Sequence, residues 1–129
     1  MITKICDRVG VMYAGEFMEQ AELNELFKRP LHPYTLDLLG CVPHFDPTPQ
    51  KRSLVTIPGS IPRVDELPEG CIFAPRCSFA MAVCSEVVPP ETTFDGVRVA
   101  CHLYPAEGDG VPVTVPTPDA IGVTTIEVA

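Results

Sequence analysis

Apolar positions change their spacing several times in the first 41 residues, and each change predicts an element. Ile2, Ile5, Cys6 and Val9 recur at helical intervals, which predicts the end of an amphipathic helix over residues 1–8 with Cys6 turned toward the core. Val9, Val11 and Tyr13 then alternate with Gly10 and Met12, and Glu16 to Gln20 return after Ala14-Gly15. That pattern predicts a β-hairpin over residues 9–20, since Gly15 takes a positive φ at no steric cost. Leu23, Leu26 and Phe27 share a face of a short helix over 21–29 that Pro30 stops. A second helix is predicted over 33–39, with Pro33 in its first turn, Leu36 and Leu39 as its apolar stripe and Gly40 as its end.

The pattern then gives way to punctuation. Pro43, Pro47, Pro49, Pro58, Pro62 and Pro68 interrupt residues 42–70, and only Leu54-Val55-Thr56-Ile57 has strand character. This stretch predicts an extended connector with a turn at Pro58-Gly59. Residues 71–104 carry a cluster of four cysteines. Residues 105–129 lack a periodic apolar face and predict a mobile tail with a short strand near 121–128. There are no internal repeats. The fold class expected is α+β, with an N-terminal unit of helix, hairpin and two short helices, a proline-rich, loop-dominated cysteine module, and domain limits at 1–41, 42–104 and 105–129.

Composition narrows the function classes. A net charge of −8 with nine basic residues, adjacent only at Lys28-Arg29 and Lys51-Arg52, argues against nucleic acid as a partner. No run approaches the roughly 20 apolar residues of a membrane helix, and no secretory leader pattern opens the chain. The chain therefore reads as cytoplasmic. Six cysteines in a reducing compartment are thiols or metal ligands more often than disulfides.

The chemistry lies in the pattern Cys71-x5-Cys77-x6-Cys84-x16-Cys101-His102. Four thiolates suit either structural zinc or an iron–sulfur cluster. Structural zinc sites use pairs two to four residues apart, and here no pair is closer than six positions. Residues 77–84 read as helical through Ser78-Phe79-Ala80-Met81-Ala82-Val83. An unbroken helix would set Cys77 and Cys84 roughly 10 Å apart along its axis. That favours a cluster over one zinc ion, with free buried thiols or a disulfide as the remaining alternative. Arg76, beside Cys77, is either a positive charge that offsets thiolate charge or a solvated surface arginine. His102 is read as a packing or hydrogen-bonding neighbour of the site, His32 as a local helix cap, His44 as solvated and Cys41 as a packing residue. Glu22 and Glu25 are read as a solvated face. No phosphate-binding loop, dinucleotide fingerprint or serine elbow is present, so no catalytic residue is nominated.

Three segments carry a resemblance to a known family. Ile5-Cys6-Asp7-Arg8-Val9-Gly10-Val11-Met12-Tyr13-Ala14-Gly15 resembles the segment after the switch histidine of ABC transporter ATPases. Leu26-Phe27-Lys28-Arg29-Pro30-Leu31-His32-Pro33-Tyr34-Thr35 resembles a segment typical of the oligopeptide/dipeptide and nickel importers. Ile57-Pro58-Gly59, Gly70-Cys71-Ile72-Phe73-Ala74-Pro75-Arg76-Cys77 and Val99-Ala100-Cys101-His102 resemble that subfamily's C-terminal extension. The likeness covers about residues 4–104. It departs at Ile72 and Ser78, where relatives often carry Arg and Pro.

The resemblance implies the C-terminal part of an ATP-binding subunit of a peptide importer, with 1–41 the edge of its nucleotide-binding domain. It implies a [4Fe-4S] cluster on Cys71, Cys77, Cys84 and Cys101, with zinc as the alternative. It implies as partners the remainder of the subunit, a second ATPase subunit and membrane permease subunits, at the inner face of the plasma membrane. ATP and Mg²⁺ belong to the full-length parent: the phosphate-binding loop, signature motif, catalytic glutamate and switch histidine have no counterpart in this sequence, so no ATPase activity is expected of it alone. The rival readings are a free-standing metal-binding adaptor and a non-functional gene fragment.

Overall fold

The structure is a computed structural model that describes residues 5–41 and 56–104. Its frame is a four-stranded antiparallel sheet in the order β1-β2-β4-β3. Strands β1 (Arg8–Tyr13) and β2 (Glu16–Glu22) form the first hairpin, with a register irregularity between Val11 and Met12. Ala14 and Gly15 both take positive φ, the geometry that matches a two-residue turn to strand twist. Helices α1 (Leu23–Lys28) and α2 (Pro33–Gly40) follow directly. A short 3₁₀ turn (Val64–Glu66), a second at Ala74–Arg76 and helix α3 (Ala82–Glu86) precede the hairpin of β3 (Glu91–Phe94) and β4 (Val97–Ala100).

The sheet joins distant parts of the chain. β2 pairs with β4 through Glu19 opposite Val99 and Gln20 opposite Arg98. One core cluster gathers Ala21, Val97 and Val99 from the sheet with Leu26, Leu31 and Tyr104. A second gathers Tyr13 and Met18 from the hairpin with Ile72, Phe73, Cys71 and Cys84. Phe73 is wholly enclosed, with Tyr13 edge-on at 5.3 Å and Tyr34 at 5.1 Å between ring centroids. Burying one such ring is worth about 1.5–3 kcal/mol, so Phe73 anchors the cysteine segment on the hairpin and α2.

Several expectations are met. The first hairpin and α1 and α2 stand where the pattern put them, Leu36 and Leu39 are buried on α2, and Pro33 opens it. Others are corrected. Residues 5–7 form no helix: β1 begins at Arg8, and both Ile5 and Cys6 are exposed. Thr56 and Ile57 are not in a strand, although Gly59 takes the positive φ of the predicted turn. Residues 77–84 are not one helix, because α3 starts only at Ala82. The hairpin β3–β4 was not anticipated; its turn at Asp95-Gly96 has positive φ at both positions. His44, the Lys51-Arg52 pair, Leu54-Val55 and the tail 105–129 lie outside the described residues. Among the described residues, no helix is long and apolar enough to cross a membrane.

Candidate functional site

The segment from Cys71 to Ala80 descends in three-residue steps. Ala74 N donates to Cys71 O (3.0 Å), Cys77 N to Ala74 O (3.2 Å) and Ala80 N to Cys77 O (3.3 Å). These short-range bonds make successive tight turns instead of a continuous helix, so the premise of two cysteines spaced along one helix face fails. The chain then extends at Met81 before α3. Cys71 N donates to Cys84 O at 2.7 Å, which closes the loop on itself. Gly70 permits that closure. A Cβ there would stand 2.7 Å from Ser85 C and 2.9 Å from Glu86 N, and closer still to the Cys84 carbonyl oxygen.

Cys101 arrives by a different route, at the end of β4. Burial raises its thiol to about 12, and Cys71, Cys77 and Cys84 push it the same way. Burial raises Cys77 to about 11, with Cys71 and Cys84 adding to the shift. Cys71 is raised first by burial and further by Cys84. The four sequence-predicted cysteines are therefore mutual electrostatic neighbours, although they come from a loop, a helix and a strand end. Among the described residues, no group of three or more His, Cys, Asp or Glu side chains is arranged to hold a metal ion.

Backbone amides face the sulfurs. Those of Phe73 and Ala74 face Cys71, that of Phe79 faces Cys77, and that of Leu103 faces Cys101, each favouring the thiolate. Met81 N donates to Cys84 Sγ at 3.5 Å. This donor set suits a thiolate-bound metal centre, whose sulfurs accept amide hydrogen bonds. The sulfur-facing amides were not named from the sequence, since any residue type can supply one.

Arg76 matches neither expectation made for it. Its Nε donates to Pro58 O (2.8 Å), and Nη2 to Ile57 O (3.3 Å) and Gly59 O (3.2 Å). Nη1 donates to the Tyr13 hydroxyl (3.3 Å), with the guanidinium 5.9 Å from that ring's centre. It fastens the Ile57–Gly59 turn to the hairpin and is not among the groups that shift Cys77. His102 behaves as read, its Nε2 within 2.8 Å of the Val87 carbonyl. Cys41 is half-buried at the end of α2.

A buried polar group was missed by sequence reasoning. Glu19, on β2, is 1% exposed, and its two oxygens accept from Leu31 N and His32 N at 2.9 Å each. Burial raises its carboxyl above the usual range, and those amides and the adjacent Thr35 hydroxyl oppose the rise. His32 caps α2 as predicted, its Nδ1 accepting from Tyr34 N at 3.0 Å. The ring proton therefore sits on Nε2, which faces the Ala100 carbonyl without closing a hydrogen bond. Burial lowers His32 to about 4, so the ring is neutral at physiological pH. The Tyr104 hydroxyl donates to Leu31 O at 2.8 Å. Strand alternation predicts that one face of β2 is buried, but a glutamate on that face carries no sequence signal of its own.

The family model described as the oligopeptide/dipeptide transporter C-terminal region matches residues 18–84. Over 94 residues the chain is 48% identical to a putative peptide import ATP-binding protein of Brucella abortus, covering 70% of this chain and 28% of that one. It is 43% identical over 101 residues to the oligopeptide transport ATP-binding protein OppD of Escherichia coli, covering 78% and 29%. It is also 43% identical over 106 residues to the putative oligopeptide transport ATP-binding protein YkfD of Bacillus subtilis, covering 81% and 32%. The chain thus spans about a third or less of the length of these relatives.

Proposed function

The chain belongs to the oligopeptide/dipeptide transporter C-terminal-region family, and on that premise we propose that it supplies the C-terminal part of the ATP-binding subunit of a peptide importer, with Cys71, Cys77, Cys84 and Cys101 holding a [4Fe-4S] cluster. The observation that carries the cluster is the convergence of three buried thiols, Cys71, Cys84 and Cys101, with half-buried Cys77, around which backbone amides are directed. Burial and mutual repulsion both disfavour thiolate charge, so the site requires a compensating cation to ionise. One zinc ion needs four sulfurs at about 2.3 Å. The choice of a multi-iron centre over zinc rests on the resemblance of the Cys71, Cys77, Cys84 and Cys101 pattern to the family's C-terminal extension. Such a group supplies a four-point cross-link and a capacity for one-electron redox change.

The chain's own residues account for the surroundings. Cys71, Cys77 and Cys84 would be held by the stepped loop and α3, and Cys101 by β4. Phe73 and Arg76 fix the loop to the hairpin that resembles the edge of a nucleotide-binding domain. The relatives are named for peptide import or oligopeptide transport and for ATP binding; the partnership with a second ATPase subunit and with permease subunits, and a location on the inner membrane face, are part of this proposal on the strength of the family resemblance and rest with the complete subunit. No group among the described residues holds phosphates or Mg²⁺, and the chain alone is expected to hydrolyse no ATP.

Anaerobic reconstitution of the full chain with ferrous iron and sulfide tests the site. The expected product is brown, with broad absorbance near roughly 400 nm, and four cysteines resist alkylation while exposed Cys6 reacts. A colourless protein with one zinc per chain would replace the cluster with the zinc reading. A protein binding neither would remove the metal site.

A further inference from the structure

The four cysteines are positioned by two separate devices. Cys71 and Cys77 lie in the stepped loop and Cys84 in α3, and backbone bonds tie Cys71 directly to Cys84 and through Ala74 to Cys77. Among the described residues, no backbone hydrogen bond ties Cys101 to any of these three. The residues on both its flanks meet the Leu31–His32 turn instead: His32 Nε2 faces the carbonyl of Ala100 just before it, and Tyr104, three positions after it, donates to Leu31 O. A further bond from Tyr104 N to Cys101 O (3.0 Å) makes the Cys101–Tyr104 turn a single unit. The Leu31–His32 turn is in turn fastened to the sheet through Glu19, which accepts both of its amides.

We propose that Glu19, His32 and Tyr104 are positioning residues for Cys101, so that the Leu31–His32 turn decides whether the site closes on four sulfurs or only three. The inference rests on the reading of the four cysteines as one metal site, and it adds the control of the fourth ligand from outside the cysteine loop. Neighbouring groups that orient metal ligands typically change affinity by about 10–100-fold when removed. The brace spans 73 positions in sequence between Leu31 and Tyr104, so it also makes the fourth ligand the point at which the site meets the hairpin and α2.

The test compares the full-length protein with Tyr104→Phe and Glu19→Gln, alone and in a Cys101→Ser background. Tyr104→Phe removes one hydroxyl and keeps the ring, so folding is retained if Glu19→Gln proves too disruptive. With protein reconstituted with iron and sulfide, the rate of iron release to a chelator is expected to rise about tenfold in Tyr104→Phe, and not to rise further in Cys101→Ser. Equal acceleration in both backgrounds would assign Tyr104 a general structural role and overturn the proposal, as would an unchanged rate. A second readout needs no metal: alkylation of each cysteine in the metal-free protein, followed by mass spectrometry. Tyr104→Phe is expected to unprotect Cys101 selectively, leaving Cys71, Cys77 and Cys84 as in the parent. If the parent takes up no iron and Cys101 is still selectively unprotected, the metal reading fails and the positioning holds. If all four cysteines change together, or none does, the positioning is wrong.

Discussion

Gly70→Ala sets two opposing effects against each other, and the sign of the result identifies the winner. Gly70 is not in the left-handed region, so alanine there meets no backbone penalty. Restricting the unfolded chain would by itself stabilise the protein by about 0.4–1 kcal/mol. The folded geometry predicts the reverse. The added Cβ would lie 2.7 and 2.9 Å from backbone atoms of Ser85 and Glu86 and closer to the Cys84 carbonyl oxygen. Backbone atoms cannot rotate aside as a side-chain tip can, so the end of α3 must move away from Cys71. Overpacking of this kind costs about 1–3 kcal/mol, and the stretched Cys71–Cys84 bond adds about 1 kcal/mol. Net destabilisation of about 1–3 kcal/mol is expected, read from urea unfolding of the full chain with an unchanged m-value. Because the movement separates Cys84 from Cys71, iron uptake should fall as well. A variant as stable as the parent, or more stable, would refute the close packing of Gly70 on α3.

Other outcomes follow from the same geometry. Arg76→Lys keeps the charge but cannot reproduce the forked donation to three carbonyls and the Tyr13 hydroxyl; a loss of about 1–2 kcal/mol and faster proteolysis near Gly59 are expected, and a neutral result would contradict the latch. His32 is held neutral by burial, with its folded value at about 4 against 6.5, so its contribution is complete above pH 6.5 and is lost as the pH falls toward 4, by about 3 kcal/mol. Glu19 and Asp37, raised by burial, oppose this by favouring the folded state as the pH falls through their raised values. His32→Asn should keep an acceptor for the α2 cap and abolish the loss, so melting temperatures from pH 8 to 4.5 should fall less steeply than in the parent. Iron removal by an anaerobic chelator should lower the melting temperature of the parent and leave that of Cys77→Ser unchanged.

The elements legible in the sequence are those whose signals are local. The Ala14-Gly15 turn, the Leu36/Leu39 stripe and Pro33 at the start of α2 need no information from elsewhere in the chain. Phe79 to Val83 misled for a related reason: an apolar run with good helix formers reads as a helix, but the short bonds of Cys71, Ala74 and Cys77 bend the segment into turns first. The β3–β4 hairpin carried an Asp95-Gly96 turn signal that stood between short, partly polar strands, and cysteine spacing drew the reading past it. The four cysteines could be nominated as candidate ligands from residue type alone. Their supports could not. Glu19 resembles any charged strand residue until the Leu31 and His32 amides are brought to it, and Arg76 resembles a surface arginine until the Ile57–Gly59 turn folds over it.

The sheet order has a consequence for how the protein is made. β2 is an interior strand, yet its second neighbour, β4, lies roughly 80 residues later, with Glu19 opposite Val99. During synthesis from the N-terminus, β2 presents an open edge until residues 97–100 have left the ribosome. Exposed strand edges are where nascent chains associate wrongly. Cys101 emerges immediately after the strand that seals this edge, so its thiol becomes available at the moment the sheet can close.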